Sequence, residues 1–141
     1  MKKVLSLVLA LSLVLSTFTF APAFAASSEF ADIKGEACEE AVTVLSGLSV
    51  VNGYEDGTYK PENIVTRAEM AVLVVNALGL ENYVTDNAKS SFTDMTNYGW
   101  AEGYIAYAQS LGVISGYGDG TFRPGNTVSY DEAATMLVAA L

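Results

Sequence analysis

Arg67 sits in the run Thr66-Arg-Ala-Glu69, where a hydroxyl residue is followed three positions later by a glutamate and then by an apolar stretch. That pattern is a capping box, so it predicts a helix with Arg67 at its first position. A cation there opposes the helix dipole and costs about 0.3–1 kcal/mol. Local stability favours an acid, so the arginine points to another task. Guanidinium pairs bidentately with carboxylate, and free helix-terminal amides beside it complete an anion site. Two partners satisfy that chemistry: an anionic ligand, or a carboxylate of this acid-rich chain. Lys60 and Arg123, at equivalent places in two recurring turns, can supplement the charge, and Trp100, Tyr54 and Tyr117 are the candidate flat apolar surfaces. Tyr104 and Tyr107, on helical spacing, read as core, whereas Trp100 begins a helix and is open to either role. Asp56-Gly57 and Asp119-Gly120 read first as turn formers whose backbone neighbours could line a groove, and Glu69 reads as a cap.

The elements that would position these residues repeat. Asn52 to Glu69 reads NGYEDGTYKPENIVTRAE and Ser115 to Glu132 reads SGYGDGTFRPGNTVSYDE, with equivalent positions 63 apart. Phe30-Ala-Asp32 matches Phe92-Thr-Asp94 at an offset of 62, so one extra residue precedes Trp100. Each unit reads as helix, loop, helix, and units of this size bury their faces against one another. In the first helices the expected core faces are Ala37, Ala41, Val44, Leu45 and Leu48, and Trp100, Tyr104, Tyr107, Ala108 and Leu111. In the second helices they are Met70, Leu73, Val74, Ala77 and Leu78, mirrored by Ala133, Met136, Leu137, Ala140 and Leu141. Gly112 and Gly79 are placed to end helices, while Gly53, Gly57, Gly116 and Gly120 are expected at positive φ in the turns. Residues 81–91 read as a polar surface connection.

Residues 1–25 read as a signal peptide: Lys2-Lys3, an apolar run from Val4 to Phe20, then Ala-Phe-Ala at 23–25. A membrane anchor is the rival reading, but serines interrupt the run and no basic stop follows. The mature chain then begins at Ala26, with one unit over 26–88 and a shorter one over 89–141. Its net charge moves from -9 to -11 once Lys2 and Lys3 are removed. So acidic a surface argues against nucleic acid and anionic membrane as partners. The chain has no histidine, and its one cysteine, Cys38, excludes an intramolecular disulfide. Catalysis would have to rest on a carboxylate pair, and none is distinctive. GYEDGT lacks the alternating oxygen ligands of a calcium loop, so neither metal nor cofactor is implied.

FADI and FTDM opening the units, GYEDGTYKP and GYGDGTFRP at the turns, and TRAE opening the second helix together resemble the S-layer homology (SLH) domain. The resemblance spans essentially all of the mature chain. It implies a mainly α fold of tandem helix-loop-helix repeats forming part of a pseudo-trimeric helical bundle. It also implies a non-catalytic module at the bacterial surface that binds secondary cell-wall polysaccharide, often pyruvylated, in grooves between units. A pyruvylated sugar would then meet Arg67 through its carboxylate and Trp100, Tyr54 or Tyr117 through its ring face, with Asp56, Gly57, Asp119, Gly120 and Arg123 lining the grooves. Three departures stand out. There are two units where the family pattern has three, Trp100 matches Ala37 or Cys38 in the first unit, and TRAE becomes Ser129-Tyr-Asp-Glu132 in the second. The alternative function is an assembly subunit that completes the pseudo-trimer with another SLH chain. A narrower expectation is that unit one carries the anion-binding helix start while unit two contributes scaffold and the Trp100 wall.

Overall fold

Thr66 and Ser129 each cap a helix as their sequences predict. Their hydroxyls accept the amides of Glu69 and Glu132, and each glutamate accepts the cap residue's own amide in return, at 2.7 Å for Thr66 and 2.9 Å for Ser129. The computed structural model describes residues 30–141, so the signal-peptide reading lies outside the described residues. Four helices follow in chain order: α1 Glu39–Gly47, α2 Arg67–Ala77, α3 Gly99–Ser110 and α4 Tyr130–Ala139. Short 3-10 turns cover Ala31–Ile33 and Glu81–Tyr83. The described residues contain no strand, only an isolated antiparallel bridge between Thr66 and Thr127. The fold is mainly α, made of two helix-loop-helix repeats.

Helices α1, α2 and α3 end alike. Val50, Leu80 and Val113 each donate their amide to the carbonyl five residues back, across a residue at positive φ. That residue is Gly79 after α2 and Gly112 after α3, but Ser49 (φ 58°) after α1. Gly53, Gly57 and Gly120 adopt the expected positive φ. Gly116 does not: a Cβ there would meet the Phe92 ring and the Thr121 carbonyl, so the position is small for want of space, and Gly118 takes the left-handed conformation instead.

Burial follows the expected helix faces only in part. In α3 Ala108 is buried as expected, but the rest of the covered face is Ala101, Glu102, Gly103 and Ile105 rather than Trp100 and Leu111, and Tyr104 and Tyr107 are half-buried flanks. In α1 only Val42 is buried, and Leu48 is 58% exposed. Helix α2 is apolar nearly all round, so periodicity could not choose its buried face. Packing chooses instead: α2 lies against both α3 and α4, covering Ala68, Ala71, Val74 and Val75. These join Val113, Ile114, Phe122 and Met136 of the second repeat in the main core. The first repeat keeps a smaller cluster of Phe30, Ile33, Val42 and Val51. The 81–91 connection is packed as well as polar, since a Cβ on Gly103 would lie 2.8 Å from the Thr85 carbonyl.

Candidate functional site

Arg67 lies in the junction between the repeats. Its Nε donates to the Phe122 carbonyl at 2.8 Å, one terminal nitrogen to the Ser115 carbonyl at 3.2 Å, and the other pairs with Glu132 at 2.8 Å. The guanidinium carbon lies 4.7 Å from the Tyr117 ring centre and 4.5 Å from that of Phe122. The backbone joins in: the Arg67 and Ala68 amides donate to Asn126 and Pro124, and the Val128 amide to Val65. Only 3% of Arg67 is exposed. Of the two partners its chemistry allowed, a carboxylate of the chain itself holds it here. Burial pushes the Glu132 carboxyl up, but the Ser129 amide, the Tyr117 hydroxyl and Arg67 together hold it below the usual carboxylate range. Tyr117 donates its hydroxyl to Glu132, which raises the phenol.

The turns are built from side-chain carboxylates. Asp56 accepts the Thr58 hydroxyl at 2.5 Å and amide at 3.1 Å, and its second oxygen pairs with Lys60 at 2.8 Å. Asp119 does the same with Thr121 and Arg123. Lys60 first, then the Thr58 hydroxyl, hold Asp56 down to about 2, and the Thr121 hydroxyl and amide do so for Asp119, also to about 2. Asp32 accepts the amides of Tyr59 and Lys60, and Asp94 those of Phe122 and Arg123. These clamps hold Lys60 and Arg123 at φ 57° and 56°, a conformation non-glycine residues seldom adopt. Each cation then lies over the aromatic ring of its own turn, Lys60 Nζ at 4.3 Å from Tyr54 and Arg123 at 4.2 Å from Tyr117.

A groove of about 540 Å³ opens beside the first repeat's turn. Tyr54, Lys60, Glu69, Leu73 and Asn76 of the first repeat line it, and Trp100 of the second forms part of its wall, 57% exposed. Asn76 is buried, and its Oδ1 has no hydrogen-bond partner among the described residues while its amide reaches the Val50 carbonyl at 3.4 Å. The groove thus offers a flat apolar ring and a cation.

The model of the S-layer homology domain matches residues 29–71 and 91–134, more than half the chain. The chain belongs to the S-layer homology family. Over its full length it is 37% identical to the middle cell wall protein of Brevibacillus brevis, and covers 14% of that protein. It is 35% identical to a cell surface protein of Thermoanaerobacter kivui, covering 19% of it. Over 61% of the chain it is 39% identical to a cellulosome-anchoring protein of Acetivibrio thermocellus, 20% of which is covered. The SLH chain therefore spans no more than about a fifth of the length of these relatives.

Of the residues singled out from the sequence, the groove gathers Tyr54 and Trp100, and the junction gathers Arg67, Tyr117, Arg123 and, through its turn, Asp119. Gly57 and Gly120 serve the turn backbones. Sequence reasoning missed two things. The Asp32 and Asp94 clamps were signalled by the recurring Phe-x-Asp, whose carboxylate had no assigned work. Asn76 was signalled as the one polar residue between the apolar Val75 and Ala77, where the second repeat has Ala139.

Proposed function

We propose that this SLH chain is a non-catalytic anchor that holds its protein to the bacterial cell wall by binding a pyruvylated secondary wall polysaccharide in the groove between repeats. The observation that carries this reading is the convergence of Trp100, Tyr54 and Lys60 on one groove. A sugar's apolar face stacks on Trp100, and a pyruvyl carboxylate pairs with Lys60, whose ammonium acts as a point charge. Tyr117 with Arg123 repeats the Tyr54–Lys60 arrangement and offers a second point for a carboxylate. Arg67 would have to leave Glu132 to serve the same ligand, so it contributes by fixing the groove's two walls.

The test is sedimentation of the purified chain with bacterial wall sacculi. Trp100→Ala and removal of pyruvyl groups from the polymer are each expected to weaken binding about tenfold, equal to about 1.4 kcal/mol. Affinity unchanged by both would overturn the reading.

A further inference from the structure

One dipeptide of the first turn has no counterpart in the second. Asn52-Gly53 stands where the second repeat has Ser115-Gly116, and none of the chain's other six asparagines precedes a glycine. Glycine lacks the Cβ that would shield its amide nitrogen, so that nitrogen can reach the side-chain carbonyl of the residue before it. Asparagine is the thermally labile residue in such a pair. Both residues are exposed and lie outside any helix. Among the described residues, neither the Asn52 side chain nor the Gly53 amide takes part in a hydrogen bond. The pair cannot escape by changing its second member. Gly53 stands at φ 66°, and a Cβ there would meet the Phe30 ring and lie 2.8 Å from the Thr58 carbonyl.

Two other pairs in the turns have a suitable sequence and the wrong surroundings. Asp56-Gly57 and Asp119-Gly120 could close the same ring, but their carboxylates are engaged. One Asp56 oxygen accepts from Thr58 and the other pairs with Lys60, while the Gly57 amide donates to the Tyr54 carbonyl. Asp119 is held alike by Thr121 and Arg123. Lys60 and Thr58 hold Asp56 down to about 2, and Thr121 and Arg123 do so for Asp119, also to about 2. An ionised carboxylate offers a nitrogen nucleophile only a poor leaving group. The neutral, unengaged amide of Asn52 offers a better one.

We propose that Asn52 is a self-modification site, at which the chain converts asparagine with water to a mixture of aspartate and isoaspartate. The Gly53 nitrogen attacks Asn52 Cγ and forms a nitrogen–carbon bond. The Cγ–Nδ2 bond breaks, and Nδ2 leaves as ammonia with the proton given up by the Gly53 nitrogen. Water then opens the cyclic imide. Opening at Cγ leaves aspartate, whereas opening at the backbone carbonyl routes the main chain through Cβ and leaves isoaspartate. Either product puts a negative charge where a neutral amide stood, and isoaspartate also lengthens the main chain by one carbon. The turn has no room for that carbon. Gly53 packs against Phe30, which belongs to the first repeat's small core with Ile33, Val42 and Val51, and the next amide, that of Tyr54, is bonded to Thr58 at 2.8 Å. The isoaspartyl form gives up that bond or the Phe30 contact, and the smaller cluster loosens. The inference stands apart from wall binding and needs no ligand but water.

The purified chain, incubated at mildly alkaline pH with no wall polymer present, is read by fragmentation mass spectrometry and by the label of an isoaspartate-specific methyltransferase. Conversion is expected at Asn52 alone, to rise with pH, and to be absent from N52S, which copies the second repeat. The isoaspartyl fraction is expected to melt several degrees below freshly made chain, while incubated N52S keeps its melting profile. N52D carries the new charge on an ordinary backbone and is expected to melt close to wild type. Four results would each overturn the proposal: Asn52 intact in the folded chain while it converts in urea, isoaspartate forming as readily at Asp56 or Asp119, a label that persists in N52S, or an isoaspartyl fraction that melts as wild type does.

Discussion

Replacing Arg67 by methionine keeps much of the side chain's length while removing its charge and its donors. The Phe122 and Ser115 carbonyls lose these partners, and Glu132, three-quarters buried, loses its ion pair. Breaking a buried pair from one side costs about 3–5 kcal/mol, because the other charge stays behind. Glu132 keeps the Ser129 amide and the Tyr117 hydroxyl, and its side chain remains 25% exposed, so the lower end applies. We expect R67M to lose about 3 kcal/mol of unfolding free energy. E132Q preserves the cap and leaves Arg67 two carbonyls and two rings, so it should lose about 1–2 kcal/mol. In the double variant no charge is stranded, and the loss should fall short of the sum by about 1 kcal/mol or more. Urea unfolding followed by circular dichroism measures all four proteins; with slopes of about 1–3 kcal/mol per molar, R67M should shift the midpoint by about 1–3 M. An R67M midpoint indistinguishable from wild type, or strict additivity in the cycle, would show that the guanidinium does not lock the repeats together.

Ser49 holds the left-handed position that Gly112 fills in the second repeat, so Ser49→Gly should stabilise the chain by up to about 1 kcal/mol, visible as a melting temperature raised by several degrees. Acid should act through the turns and the junction. Asp56 and Asp119 are depressed to about 2 from 3.8, and Glu132 is depressed as well, so their contribution is complete above the unfolded values and is lost as pH falls through the folded ones. Thermal melts are thus expected to be insensitive to these groups near neutrality and to fall steeply between about pH 4 and pH 2.

The helix starts were legible because a capping box is a local code, and Thr66 and Ser129 carry it within four residues. The ends after α2 and α3 were legible through Gly79 and Gly112, but the one after α1 was hidden because Ser49 gives no such signal. Which faces are buried could not be read from α2, whose apolar residues surround it; the choice belongs to α3 and the second repeat's turn. Arg67 shows the same limit at the site. Its misfit with the helix dipole was visible in four residues, and both possible partners followed from that. The choice between them rests on Glu132, Ser115 and Phe122, which are 48 to 65 residues away and include two backbone carbonyls that no residue type announces.

The Asp32 and Asp94 clamps also set an order of events. Each closes a loop of 28 or 29 residues within its own repeat, whereas the Arg67 contacts span 48 to 65. Short loops cost less entropy to close, so each turn can form before the repeats find one another. As the chain emerges from its N-terminal end, the first turn and α2 are complete while the residues that will receive Arg67 have yet to appear. During that interval the apolar flank of α2 has no cover. Cover begins when α3 appears and is completed only when Glu132 at the start of α4 pairs with Arg67, which makes the second repeat's last helix the step that commits the domain.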